Sequence, residues 1–328
     1  MLLYPRTVAT MLAAASAVSM LVLPAAAASL KRGLVFTPNV ATPEDDKIWI
    51  EKPTTLTWYY NYRSEPESVY QDVPQSEFEF VPMMWGAPDS LDDTSFLSTV
   101  KNLIQRKGIN ITHVLSFNEP DGPFETGGSQ MEPWAAAQLW VNNMIPLREM
   151  GVRVGLPACT GGPSGLPWLQ NFLAECSLLI SSDDEQRNCS FDFVTIHWYG
   201  SFEGLASHMG EYSAAFPDKT MWITEFNLNH QDLEATQSFY NMSTEYFDRL
   251  DFVERYSLFG AFRSSVSNIG PNGAMLNDDG SLTDIGAWYL GRQPTGISPS
   301  SASSLRFPLP QKVVAVFAAV VVAAVSLA

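Results

Sequence analysis

The sequence predicts an α/β fold, a single-domain (β/α)8 TIM barrel, on three observations. Eight short apolar or aromatic runs recur along the chain, each followed by a segment that can be helical. Strands and helices alternate with no separate block of either, the pattern of a parallel sheet with crossover helices. Eight such repeats in about 270 residues favour closure over an open sheet. An open doubly wound sheet would want a Gly-rich phosphate loop after its first strand. Thr37-Pro38-Asn39 stands there, and neither G-x-G-x-x-G nor a P-loop occurs. Nucleotide binding is not expected, and no cofactor is implied.

In order, the runs are Gly33 to Phe36, Leu56 to Tyr60, Phe80 to Trp85 and Val114 to Phe117, then Val152 to Leu156, Phe193 to His197, Met221 to Glu225 and Tyr256 to Ala261. Between them, Ser90 to Gln105 and Glu132 to Met150 are the clearest amphipathic helices. Each is closed by a glycine, Gly108 and Gly151. From Pro294 the chain turns rich in Ser, Pro and Gly, which ends the folded unit of residues 29–293.

Both termini read as removable. Residues 1–28 carry one basic residue (Arg6), an apolar stretch from Val8 to Leu23 and an Ala26-Ala27-Ala28 cleavage signal, so a secretory signal peptide is expected. At the other end come a Ser/Ala cluster (Ser298 to Ser304), a spacer, and an uncharged apolar tail from Val313 to Ala328. That is the layout of a glycolipid (GPI) anchor signal over 305–328, preceded by a linker at 294–304 with attachment near Ser301. The alternative, a spanning tail, would want about 20 apolar residues. Contact with a membrane is expected only through that lipid, and the folded unit is expected to be monomeric.

The formal charge is −16, and removal of both ends takes away Arg6, Arg306 and Lys312 with no acids, leaving −19. Such a surface argues against nucleic acid or anionic headgroups as partners. A neutral ligand such as a sugar fits the acidity and an aromatic content of 12% with nine Trp. Of three cysteines, Cys176 and Cys189 flank a polar excursion and are expected to be bridged, leaving Cys159 as a small buried residue. Asn110, Asn188 and Asn241 head glycosylation sequons, consistent with secretion.

Chemistry is expected where the fourth and seventh strands end. Pro120 stops the fourth run and Gly122 frees the turn after it, leaving Glu119 and its neighbour Asn118 at a strand's carboxyl end. Glu225 closes the seventh run in the same way. Strict alternation would put Leu115, Phe117 and Glu119, and likewise Met221, Ile223 and Glu225, in one inward row ending at the mouth. Two converging carboxyls, one protonated and one charged, are what glycoside hydrolysis needs. Glu119 is assigned as acid/base and Glu225 as nucleophile. A separation of about 5–5.5 Å would give retention and about 6.5–9.5 Å inversion.

At these residues the chain resembles a known family. Asn118-Glu119-Pro120-Asp121 and Trp222-Ile223-Thr224-Glu225-Phe226-Asn227 resemble clan A glycoside hydrolases. Together with Val81 to Gly86 and Phe193 to Gly200, they are similar to glycoside hydrolase family 128, the Asl-type fungal endo-β-1,3-glucanases. The likeness runs from about Lys31 to Gly291. It implies a (β/α)8 barrel, a retaining mechanism, no metal, β-1,3-glucan as substrate, and the same roles for Glu119 and Glu225.

Around the pair, His197, Trp198 and Tyr199 close the sixth run, where an imidazole or phenol can orient Glu225. Asn61 and Trp85 end the second and third runs and are expected in the cleft, Trp85 as a stacking platform or else a core residue. Trp58, Trp222 and Trp288 read as packing. The four histidines lack H-x-x-x-H or H-E-x-x-H spacing, so no metal is expected. The expected function is a retaining endo-β-1,3-glucanase at the fungal cell surface or wall. The alternatives are a transglycosylase, a hydrolase of another β-glucan, or a catalytically silent glucan-binding protein.

Overall fold

The structure, a computed structural model, describes residues 29–299. The expected signal peptide (1–28), anchor signal (305–328) and far end of the linker lie outside the described residues.

Eight parallel strands appear, β1 (Arg32–Val35), β2 (Trp58–Tyr60), β3 (Glu79–Phe80), β4 (His113–Val114), β5 (Arg153–Val154), β6 (Phe193–Tyr199), β7 (Thr220–Asn227) and β8 (Val253–Leu258). The helices are α1 (Ser95–Gln105), α2 (Pro133–Glu149), α3 (Gly165–Ile180), α4 (Phe202–Ala215), α5 (Leu233–Arg249) and α6 (Asp284–Tyr289). The first two crossovers hold only 3-10 turns, at Pro43–Lys47 and Ser68–Tyr70, in place of helices. Gly108 (φ 67°) and Gly151 (φ 87°) take left-handed backbone after α1 and α2, the conformation that lets a helix end.

Continuous ladders form a six-stranded sheet in the order β3-β2-β1-β8-β7-β6 and a two-stranded sheet β4-β5, all parallel. Isolated parallel bridges join Met83 to Leu115, Gly155 to Phe193 and Cys159 to Ile196. Two of the three shortest strands have a local reason. Pro82 follows β3 and Pro157 follows β5, and neither has an N–H to carry a ladder onward.

The core divides in two. Leu34, Val114, Phe117, Ile196, Met221, Ile223 and Phe226 pack with helix residues such as Leu139, Trp140, Phe172, Phe239 and Phe247. On the opposite strand face Val35, Trp58, Tyr60, Val81, Met83, Leu115, Phe193 and Trp222 make a smaller cluster. Trp222 stacks on Phe193 at 4.2 Å and meets Trp58 at 5.1 Å, so both tryptophans are packing residues as expected. Gly33 leaves the room Trp58 needs, since a Cβ there would fall 2.1 Å from the indole. Trp288 is partly buried against the larger cluster.

This division corrects the expected inward rows. Leu115 and Phe117 belong to opposite faces, and Met221 and Ile223 lie on the helix side with Trp222 between them facing the other way. In β7 the pairing jumps from Ile196↔Ile223 to His197↔Glu225, so Thr224 is an extra, bulged residue. A bulge shifts the two-residue period by one, and that shift carries Glu225 to the inner side.

Cys176 and Cys189 form the expected disulfide, closing the loop after α3, and Cys159 is a buried free thiol. Asn110, Asn188 and Asn241 are exposed. No helix among the described residues is long and apolar enough to cross a membrane.

Candidate active site

Glu119 follows β4 with its backbone in the left-handed region, φ 41°. Its N–H donates to the Ala158 carbonyl (2.7 Å), and its own carbonyl accepts from Gly122 (2.9 Å) and Ser129 (3.2 Å). A non-glycine residue in this region costs about 1–3 kcal/mol and is held only by such surroundings. The result is a carboxylate turned back over the strand ends.

Glu225, at the bulge of β7, is 5% exposed. One of its carboxylate oxygens accepts from Tyr62 Oη at 2.6 Å and from Tyr60 Oη at 3.5 Å; the other accepts from Tyr199 Oη at 2.5 Å. His197, fully buried at the end of β6, sits between the acids, its Nδ1 3.0 Å from Glu119 and 3.5 Å from Glu225. With carboxylates on both sides, Nδ1 is the nitrogen that carries the proton.

The electrostatics are unequal by construction. Burial pushes the Glu225 carboxyl up from its ordinary value and the Glu119 charge adds to that. His197 and the Tyr199 and Tyr62 hydroxyls pull it the other way. Burial alone would lower the His197 pKa, but the Glu225 and Glu119 charges overcome it and the net shift is upward. Tyr60, Tyr62 and Tyr199 are pushed well above the usual phenol range, by burial first and Glu225 second, so they remain donors.

One ligand atom from each of Glu119, His197 and Glu225 lies within 4.8 Å of the others, a spacing that would admit a cation. His197 Nδ1 is hydrogen-bonded to Glu119 and lies 3.5 Å from Glu225, and Glu225 in turn accepts from the phenols. Their arrangement therefore suits proton transfer better than metal ligation.

A cleft of about 800 Å³ opens above the pair, lined among others by Thr37, Tyr62, Trp85, Asn118, Thr160, Tyr199, Asn229 and Phe259. Among the described residues its lining has no lysine or arginine and three acids, Glu119, Glu125 and Glu225, which disfavours anionic ligands. Trp85 faces this cleft beside the exposed Phe124, ring centres 6.3 Å apart. Asn118 also lines it, with its amide donating to the Gly127 carbonyl at 3.0 Å.

Three expected residues do not line the cleft: His197, fully buried between the acids, Asn61 and Trp198. Asn61 is buried, its amide spent on Glu65 O and Glu67 Oε1 and its oxygen on the Arg63 N–H. It braces the loop after β2, and its neighbour Tyr62 (φ 60°) reaches Glu225 in its place. Trp198 alternates with His197 and Tyr199 and so faces away, packed on His208 at 5.2 Å with Nε1 bonded to Ser201 O. Sequence reasoning missed Tyr62, although the Tyr59-Tyr60-Asn61-Tyr62 string at a strand end was a signal for it. Asp121 was named only as part of a motif. It holds the loop after β5, accepting from Thr160 N (2.8 Å), Thr160 Oγ1 (2.7 Å) and Ser164 Oγ (2.7 Å).

A family profile described as "Glycosyl hydrolase catalytic core" matches residues 33–289. The chain belongs to that family. It is 28% identical over 269 residues to alkali-sensitive linkage protein 1 of Schizosaccharomyces pombe, covering 79% of this chain and 44% of that protein. It thus spans less than half the length of that curated relative. An endo-β-1,3-glucanase of glycoside hydrolase family 128 from Pseudomonas viridiflava is 27% identical, with a TM-score of 0.63 over 81% of this chain and 99% of that one. A curdlan-specific exo-β-1,3-glucanase of the same family from Blastomyces gilchristii, solved with glucose, is 26% identical with a TM-score of 0.60, covering 80% of this chain and 98% of that one. The resemblance to family 128 expected from the motifs is therefore borne out.

Proposed function

We propose that this hydrolase cleaves β-1,3-glucan with retention of anomeric configuration, Glu119 acting as acid/base and Glu225 as nucleophile. The observation that carries the reading is the carboxyl pair itself, an oxygen of each within 4.8 Å at the carboxyl ends of β4 and β7. A closest approach this short is compatible with the short carboxyl separation of retaining enzymes. Supporting it, the isolated bridges Met83–Leu115 and Gly155–Phe193 link neighbouring strands of the two sheets, as a closed (β/α)8 barrel requires.

In the first step the Glu119 proton passes to the glycosidic oxygen as the C1–O bond breaks, and the Glu225 carboxylate bonds to C1. In the second, Glu119 takes a proton from water, whose oxygen bonds to C1 and expels the Glu225 carboxylate. His197 occupies one Glu119 oxygen, which leaves the other for the travelling proton. Tyr62 and Tyr199 fix the Glu225 carboxylate and ease its charge. Trp85 offers a face to a glucose ring.

The proposal extends to placement. The signal-like and anchor-like ends, with three exposed sequon asparagines, suit a secreted, GPI-anchored protein at the cell wall. Action within the chain is what the likeness to the Asl-type endo-glucanases implies, although relatives of both endo and exo type are known. Proton NMR of the protein with a linear β-1,3-glucan tests the chemistry. The β-anomer should appear first at the new reducing ends. Initial α-anomer would mean inversion, and binding without any new reducing end would mean a silent glucan-binding protein.

A further inference from the structure

A second cavity begins on the far side of Tyr199. It measures about 520 Å³ and shares two lining residues, Tyr199 and Asn229, with the catalytic cleft. Tyr199 thus has its hydroxyl on Glu225 and forms part of the wall of the space beyond. Resting on the proposed glucan chemistry, we propose that this cavity binds further sugar units of the same glucan chain whose scissile linkage lies over Glu119 and Glu225.

The chemistry of the walls fits an uncharged pyranose. Phe202 and Met242 supply apolar surface for the C–H faces of a ring, while Glu203, Gln231 and Ser238 supply groups for its hydroxyls. Met242 is 41% exposed, a large apolar side chain left open beside the catalytic centre. Phe202 is held by an edge contact with Tyr246, ring centres 5.5 Å apart, so this wall is set before any ligand arrives. Among the described residues no lysine or arginine lines the cavity, which disfavours a phosphate or an acidic peptide as occupant. At the junction, the Asn229 side-chain oxygen is buried without a hydrogen-bond partner among the described residues. Asn229 itself lines both cavities and so marks where they meet.

The trench also continues the opposite way. A third cavity of about 440 Å³ shares Tyr62 and Trp85 with the catalytic cleft, so the cleft has a neighbouring space on each of two sides. A chain lying through all three would be cut in its interior.

Ser238 is exposed on α5, four residues from Met242 and on the same helix face, so Ser238→Trp fills the cavity without disturbing the core. Wild type and variant are compared on β-1,3-linked oligosaccharides of three to eight glucoses. The expected result is a kcat/KM lowered about 10-fold on the longest substrates and unchanged on the shortest. Equal kcat/KM at every length overturns the proposal. An equal loss at all lengths also overturns it, since the substitution would then act on the catalytic centre. If the wild type hydrolyses none of them, the proposed function fails separately, and binding decides the remaining question. Weaker binding of the octamer by the variant sustains the cavity's role; equal binding refutes it.

Discussion

Carboxylates at the two ends of the strands live in opposite surroundings. At the amino ends, Glu79 is gripped by Arg255 (2.6 Å), His113 (3.1 Å) and Thr112 (2.7 Å). Glu254 is gripped by Arg153 (2.6 and 3.1 Å), by Trp222 Nε1 (2.9 Å) and by Thr220 (3.0 Å). Burial works against both charges, but these partners overcome it and hold each acid at about 2. At the carboxyl ends the side chains of Glu119 and Glu225 meet, among the described residues, only phenols and one imidazole. An acid clamped by guanidinium stays charged at any working pH and cannot trade protons. An acid pair that faces hydroxyls and a histidine can. The fold spends its cations where it needs rigidity and keeps them away from where a proton must move.

Breaking the two pairs should therefore damage different properties. The largest effect is expected for Glu225→Gln and Glu119→Gln, with kcat on β-1,3-glucan down by roughly 10^4-fold or more. Glu225 is a buried acid with a raised pKa, so its charge above that pKa opposes folding. The thermal midpoint of Glu225→Gln at pH 7 should accordingly be no lower than that of the wild type. A variant that is inactive because it has unfolded would erase the contrast.

Glu79→Gln should do the reverse. It strands Arg255 and His113, and urea titration should show a loss of ~3 kcal/mol, the usual cost of breaking a buried ion pair. The kcat of the folded fraction should be unchanged. A kinetic defect with full stability would reverse the roles of the two ends.

Tyr199→Phe and Tyr62→Phe sharpen the comparison from inside the active pair. Each removes a donor that favours the charged form of Glu225, so kcat should fall about 10²-fold. Without that donor the Glu225 carboxyl rises further, and because the proposed nucleophile must be ionised the acid limb of the pH–rate profile should move to higher pH. An unmoved limb would mean the phenols do no electrostatic work.

The smallest effect is in stability against pH. Glu79 and Glu254 have depressed values, so their contribution is present above the ordinary carboxyl value of 4.5 and is lost as pH falls toward about 2. The difference in urea midpoint between wild type and Glu79→Gln should be full at pH 6 and shrink by pH 3. A difference independent of pH would show that packing, not charge, is what the substitution removes.

Much of this was legible in sequence because strand ends are marked by composition. Pro120 and Gly122 gave away Glu119, and the aromatic string after residue 195 gave away His197 and Tyr199. What failed was counting by twos. The bulge at Thr224 breaks the period between Ile223 and Glu225, and the period is already broken between Leu115 and Phe117, so neither expected row of three holds. Asn61 and Tyr62 were exchanged for the same reason, since a positive φ at Tyr62 depends on the braced loop and not on the residue type. Ladders ended by prolines are likewise shorter than the apolar runs that contain them.

The direct test of the catalytic pair is covalent trapping. A 2-deoxy-2-fluoro-β-laminaribiosyl fluoride slows breakdown of the glycosyl-enzyme, and mass analysis of peptides then locates the sugar. One label, on Glu225, is the expected result. Label on any other carboxylate, or none while the glucan is still turned over, would contradict the assignment.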